Sequence, residues 1–190
     1  MRLAIFGGTF DPIHNAHLAA AREAVAAFEL DRVLFVPAER PPHKAGVTHA
    51  PYEDRYRMVS LACGDEPKFE ASRLEQGTLS SYSIDTIEKV RARLGAGDEL
   101  FFLIGADAFA EIQTWRRWPD VIRAVEFIVV SRPGHCYNIP EGARVHRLET
   151  VELPVSSSEI RRRLASGDDR VEVPAAVLTY IRERGLYRTE

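Results

Sequence analysis

The sequence predicts an α/β protein with a doubly wound, Rossmann-like, mostly parallel sheet, helices on both faces and a small helical segment at the C-terminus. Short apolar runs without alternation recur at Leu3 to Phe6, Val33 to Val36, Leu100 to Ile104 and Phe127 to Val130, the pattern of strands buried on both faces. Segments with helical period lie between them, and such alternation of strand and helix is the signature of βαβ crossovers.

After the first run, Leu18, Ala21, Val25 and Phe28 share one helical face; Met58, Leu61 and Ala62 do so in a shorter stretch, and Ile84, Ile87, Val90 and Leu94 in a third. Ser156 with Glu159 three residues on fits a capping box that opens a helix through Leu164, with Gly167 as its stop. A last helix follows, with Pro174 in its first turn, Val177, Leu178 and Ile181 on its buried face and Gly185 at its end. Pro37 to Ala50 carries three prolines, two histidines and a lysine without periodicity and reads as a long loop.

The chain has 190 residues, one domain on a prior of roughly 100–200 residues per domain. No repeat or low-complexity stretch interrupts it, so residues 1–190 are expected to form one unit, its helical C-terminal part spanning about 156–190. A hydrophobic fraction of 45% with 28% charged residues supports a packed core. The net charge of −3 argues against nucleic acid or an anionic membrane as main partner. Cys63 and Cys136 are too few for a disulfide framework or a four-ligand zinc site. The opening MRLAIFGG lacks the form of an export signal, and no apolar run approaches the roughly 18 residues of a membrane span. A cytoplasmic location is expected, with the oligomeric state open, a homo-oligomer included.

The most informative stretch is GGTFDPIHNAH, Gly7 to His17, running from the first strand into the first helix. In an open α/β sheet, ligands bind beyond the carboxyl ends of the strands, where a helix N-terminus offers N–H groups and a positive dipole end to phosphate. Gly7 and Gly8 allow a close backbone approach or simply make a tight turn. Neither a Walker A loop nor G-x-G-x-x-G is present. His14 and His17 fall on one face at the helix start, where both imidazoles can address an anion. Zinc would need further ligands, and no other H-x-x-H or C-x-x-C supplies them, so no protein-held metal is expected.

This turn, with the later VSSSEIR from Val155 to Arg161, resembles the nucleotidyltransferase superfamily that carries H-x-G-H and I-S-S-T-x-I-R signatures. PPHK at Pro41 to Lys44, SYSIDT at Ser81 to Thr86, GADAF at Gly105 to Phe109 followed by Trp115, and SRPG at Ser131 to Gly134 extend the resemblance, over nearly the whole chain, to the bacterial nicotinate-mononucleotide adenylyltransferase family. Two departures stand out. Ala16 replaces the usual glycine between the histidines, adding a methyl where phosphate is expected, and Ser158 replaces the usual threonine while keeping its hydroxyl.

The resemblance implies transfer of AMP from ATP to nicotinate mononucleotide, giving deamido-NAD and pyrophosphate in NAD biosynthesis, with Mg2+ bridging the triphosphate. It implies His14, His17 and Arg161 as catalytic. Gly7, Gly8, Thr9, Phe10, Lys44, Arg132, Ser157 and Ser158 would join them in binding ATP, and Ser83, Gly105, Asp107, Trp115 and Arg116 would bind the acceptor. Each has a plainer reading: Lys44 as a solvated loop lysine, Arg132 as a turn residue before Pro133, Trp115 as a core aromatic, and the arginine run Arg161 to Arg163 as a capped surface helix with Arg162 and Arg163 facing solvent. The roles of Asp11 and Asp107 stay open. Competing readings are another superfamily enzyme such as phosphopantetheine adenylyltransferase, a non-catalytic nucleotide-binding module, and a zinc hydrolase built on His14 and His17.

Overall fold

Arg2–Gly8 forms β1, and its alternate residues serve opposite faces: Leu3 and Ile5 enter one hydrophobic cluster, Ala4 and Phe6 the other. It is the central strand of a six-stranded sheet with β2 (Arg32–Pro37), β3 (Phe69–Ala71), β4 (Glu99–Gly105), β5 (Glu126–Ser131) and β6 (Arg144–Glu149). The order is β3-β2-β1-β4-β5-β6 and every pairing is parallel. The computed structural model describes residues 1–41, 48–64, 66–149 and 155–188.

Among the described residues, seven helices cover the two faces. α1 (Asn15–Ala27), α2 (Tyr52–Cys63), α6 (Ser157–Ala165) and α7 (Ala175–Arg184) pack with Phe6, Phe35 and Leu103. α3 (Ser83–Arg91), α4 (Ala106–Ala110) and α5 (Trp118–Ala124) pack with Ile5, Phe102 and Phe127, and a 3-10 turn at Ile112–Thr114 joins the last two. This is the doubly wound arrangement that the apolar runs predict. Since strand order reverses between β1 and β4, both crossovers lead away from the gap above their carboxyl ends, where such sheets bind ligands.

Two strands escape the sequence pattern. β3 has three residues, and β6 is a charged edge strand, RVHRLE, in which Leu148 is the buried residue. Charged side chains on an exposed edge deter pairing with another chain and also erase the apolar signal. Helix ends differ in detail. Phe28 is the C-cap of α1, Pro174 the N-cap of α7, and Leu94 packs from beyond α3. At α6 the Ser156 hydroxyl accepts the Glu159 N–H at 3.2 Å, but the Glu159 carboxylate pairs with Arg162, so only half of the expected capping box forms. Among the described residues no helix is long and apolar enough to cross a membrane.

Candidate active site at the strand-order reversal

The turn after β1 is shaped by packing before any ligand is considered. Phe10 is buried with φ of 48°, and its ring closes over Gly8, where a Cβ would approach ring carbons at 3.0 to 3.2 Å. The Phe10 ring thus crowds any side chain at Gly8, a reason for that glycine independent of any ligand. A Cβ at Gly7 would meet Phe102 at 3.4 Å, an ordinary contact. The Asp11–Pro12 peptide is cis.

Asp11, buried, is a hub. Its carboxylate accepts N–H groups of His49 at 2.7 Å and Ala50 at 3.1 Å and the Tyr187 hydroxyl at 2.7 Å. Arg55 of α2, 1% exposed, donates to the carbonyls of Thr9 (2.7 Å), Ala38 (2.7 Å) and Ala50 (3.1 Å). A buried guanidinium satisfied by main-chain oxygens fixes three segments against one another at once. Burial lowers its pKa, and the nearby Asp11 carboxylate opposes that shift. Sequence reasoning missed Arg55; the available signal was an arginine on the same helical face as buried Met58 and Val59.

His14 is the N-cap of α1 and its main-chain N–H donates to Nδ1 of His17 at 3.2 Å. With Nδ1 accepting, His17 carries its proton on Nε2 and is a hydrogen-bond donor there. The rings stack at 3.7 Å and 22°, with Phe6 and Phe10 edge-on to His17. Burial pulls the His14 pKa down to about 4, and burial followed by the His14 ring holds His17 well below the ordinary imidazole range. Both rings are neutral at pH 7 in the free chain. His14 Nδ1 is buried without a partner.

The second motif docks on the first. Arg161 Nη1 donates to the Asp11 carbonyl at 2.7 Å and Nη2 to Ser158 Oγ at 3.3 Å, while the Ser157 hydroxyl donates to the Pro12 carbonyl at 2.9 Å. The expectation that Arg162 and Arg163 face solvent holds for the first, 76% exposed, and not for the second. Arg163 is 26% exposed because it pairs with Asp168 at 3.1 Å and Glu172 at 3.5 Å.

Among the described residues, cavities open at the carboxyl ends of the strands near this assembly. One of about 600 Å³ runs along α1 and the carboxyl ends of β4 and β5, lined by Ala16, Gly105, Asp107, Arg132, His135 and Ser156. A second, of about 410 Å³, is lined by Thr9, Ser83, Thr114, Trp115 and Arg116. A recess of about 170 Å³ continues it inward past Gly7, Gly8, Phe102, Glu75 and Trp115. The short α4 divides them, with Asp107 facing the first and Ala108 the others. Trp115 is both packed and available, edge-on to Phe102 at 5.9 Å while lining two cavities; Arg116 lies 4.6 Å over the Tyr82 ring. Asp107 is fully exposed, 3.8 Å from His135. His14, His17 and Arg161 are not among the residues lining these cavities: the two imidazoles stack on each other, Arg161 bonds to the Asp11 carbonyl three residues before His14, and Lys44 lies outside the described residues. Among the described residues, no three His, Cys, Asp or Glu side chains gather to hold a metal ion.

A parallel sheet of this order defines a doubly wound α/β protein whose ligand site lies at the strand-order reversal, where these cavities open. A family profile for cytidylyltransferase-like proteins matches residues 5–163. A protein of Solibacter usitatus named "Probable nicotinate-nucleotide adenylyltransferase" is 68% identical over 187 residues, 98% of this chain and 100% of that protein. One of the same name from Thermus thermophilus is 48% identical over 191 residues, covering 99% and 100%. A solved structure, the Plasmodium falciparum nicotinic acid mononucleotide adenylyltransferase complexed with NaAD, superposes with a TM-score of 0.79 at 20% identity over 98% of this chain and 97% of that one, which establishes the shared fold. The chain belongs to the cytidylyltransferase-like family, among the nicotinate-nucleotide adenylyltransferases.

Proposed function

We propose that this protein transfers the adenylyl group of ATP to nicotinate mononucleotide, releasing pyrophosphate and forming deamido-NAD. The observation that carries the reading is the pair of cavities on either side of α4, at the strand-order reversal, a size and arrangement that suit two nucleotides laid end to end. ATP takes the larger cavity, beside Ala16, Gly105, Asp107 and Arg132, and the acceptor takes the cavity of Ser83, Trp115 and Arg116. Its pyridine ring stacks on Trp115, and N–H groups of the first turn of α3, which no helix satisfies internally, face its carboxylate.

The attacking group is already a phosphate dianion, so no general base is needed. The reaction calls for in-line positioning and donors aimed at the charge on the transferring phosphoryl group. The neutral imidazoles suit that work: His17 Nε2 is a fixed donor, and His14 joins it at the start of α1. Arg161 keeps guanidinium N–H groups for the triphosphate beyond those that hold Asp11 and Ser158, with main-chain N–H groups of Ser157 and Ser158 alongside. Gly7, Gly8, Thr9 and Phe10 shape the turn that receives the α-phosphate, and Lys44 supplies a further cation. Mg2+ would enter as part of the MgATP substrate, bridging its phosphate oxygens and water. Residues 1–190 act as one domain, and the free thiols Cys63 and Cys136 suit a reducing cytoplasm.

Incubation with MgATP and a panel of phosphorylated acceptors, scored by product mass, tests the reading. Deamido-NAD should form from nicotinate mononucleotide; adenylylated phosphopantetheine, or no product, would refute it.

A further inference from the structure

Glu75 is a carboxyl that the adenylyl-transfer chemistry does not use. It is 7% exposed and lines the inner recess of the acceptor cavity with Trp115, Ser81 and Ser83. Oε1 accepts the Thr86 hydroxyl at 2.7 Å, whereas Oε2 is buried without a partner. An ionised carboxylate left half-satisfied in such a place is costly, and a proton on Oε2 relieves the cost. The apolar side of the recess, Phe102 and Ile104 beside Trp115, suits an aromatic ring, and Glu75 lines the same small recess, so a ring seated there has this carboxyl among its neighbours.

We propose that Glu75 must hold a proton for an acid-bearing acceptor to occupy the recess, so that its protonation state sets the preference between carboxylate-bearing and carboxamide-bearing mononucleotides. The inference rests on the functional reading above. Two negative carboxylates sharing a poorly solvated recess repel strongly, while an ionised Glu75 accepts hydrogen bonds and tolerates a carboxamide, which can donate them. By linkage, binding the acid form draws a proton onto Glu75, and rising pH weakens that form selectively. Burial raises the Glu75 pKa, opposed by the hydroxyls of Thr86 and Ser81 and by Lys89, and reinforced by Asp85. The other titratable groups around it are Tyr52 of α2, whose own pKa feels Glu75, Glu39, which accepts the Gly77 N–H, and Arg116 on the outer wall.

The test is the ratio of kcat/KM for nicotinate mononucleotide to that for nicotinamide mononucleotide, from pH 5 to 9. Both acceptors carry the same phosphate, and ATP and the histidines are common to both reactions, so their titrations cancel. The ratio should fall roughly tenfold to a hundredfold with rising pH, through KM. In Glu75→Gln, a neutral side chain of the same shape, it should be flat. In Thr86→Val, which removes a hydrogen bond favouring the ionised form, the midpoint should move to higher pH. A pH-independent ratio in the wild type, or an unchanged slope in Glu75→Gln, overturns the proposal even though deamido-NAD forms. Should Glu75→Gln fail to fold, an unmoved midpoint in Thr86→Val overturns it. Absence of any deamido-NAD overturns the functional reading and this inference together.

Discussion

Arg161 donates a 2.7 Å hydrogen bond to the main-chain carbonyl of Asp11, 150 residues earlier in the chain. The contact joins the two motifs that the sequence shows as separate words. It places the α6 N-terminus against the turn that leads into α1, where one guanidinium holds both the Asp11 carbonyl and the Ser158 hydroxyl. Arg161→Lys should lower kcat by about 10²-fold, because an ammonium has no planar fork with which to hold a carbonyl and a phosphate together. Steady-state kinetics with a circular-dichroism check of folding decides it; near-normal turnover in Arg161→Lys would show that the fork is not needed.

His17→Ala should lower turnover by about 10²–10³ with the fold intact, the usual effect of losing one donor aimed at transition-state charge. His17→Asn, which retains an N–H donor, should recover part of the loss. Equal defects in both variants would argue that the ring is wanted for packing against Phe6 and Phe10 rather than for its Nε2 proton.

The same histidines make stability depend on pH. Their pKa values are lower in the folded chain than the ordinary 6.5, so the unfolded state binds more protons below that value and stability rises with pH across the window. As pH falls from about 6.5 to about 4, His14 alone should withdraw about 3 kcal/mol. Urea unfolding at several pH values compares the wild type with His14→Gln, which cannot titrate. The difference in slope between them should vanish above pH 7, and parallel curves down to pH 4 would contradict the assignment.

Trp115→Ala should raise KM for the mononucleotide acceptor roughly tenfold while leaving KM for ATP unchanged, since stacking on an aromatic contributes about 1–3 kcal/mol per base. Trp118, at the first position of α5 and outside the cavity linings, serves as the control. Trp118→Phe should change neither constant, and an acceptor KM that responded to it and not to Trp115→Ala would reverse the assignment.

Tyr187→Phe removes the hydroxyl that reaches Asp11 from the C-terminal segment, 176 residues away, and leaves a buried carboxylate oxygen with one donor fewer. A loss of about 1–3 kcal/mol in urea unfolding is expected. No change in midpoint would mean that Asp11 is held well enough by His49 and Ala50 alone.

The central strands, most helices and the two motifs were legible in the sequence because each carries its signal locally, in an apolar run, a helical stripe or a cap such as Ser156. β6 was not, since its alternation is filled with arginine, histidine and glutamate at an exposed edge. Arg55, Asp11 and Tyr187 were beyond reach for another reason. Their roles lie in hydrogen bonds between distant segments, and nothing near Asp11 in the sequence announces that its carboxylate is taken by His49, Ala50 and Tyr187. Gly8 shows the reverse case: the glycine was conspicuous, but part of its reason, the ring of Phe10, appears only once that residue's positive φ is seen.

Following pyrophosphate release from MgATP with and without nicotinate mononucleotide decides the proposed adenylyl transfer. That reaction requires release only when both are present, in equal molar amount with deamido-NAD. Pyrophosphate released from ATP alone, or no release with the mononucleotide added, would contradict it.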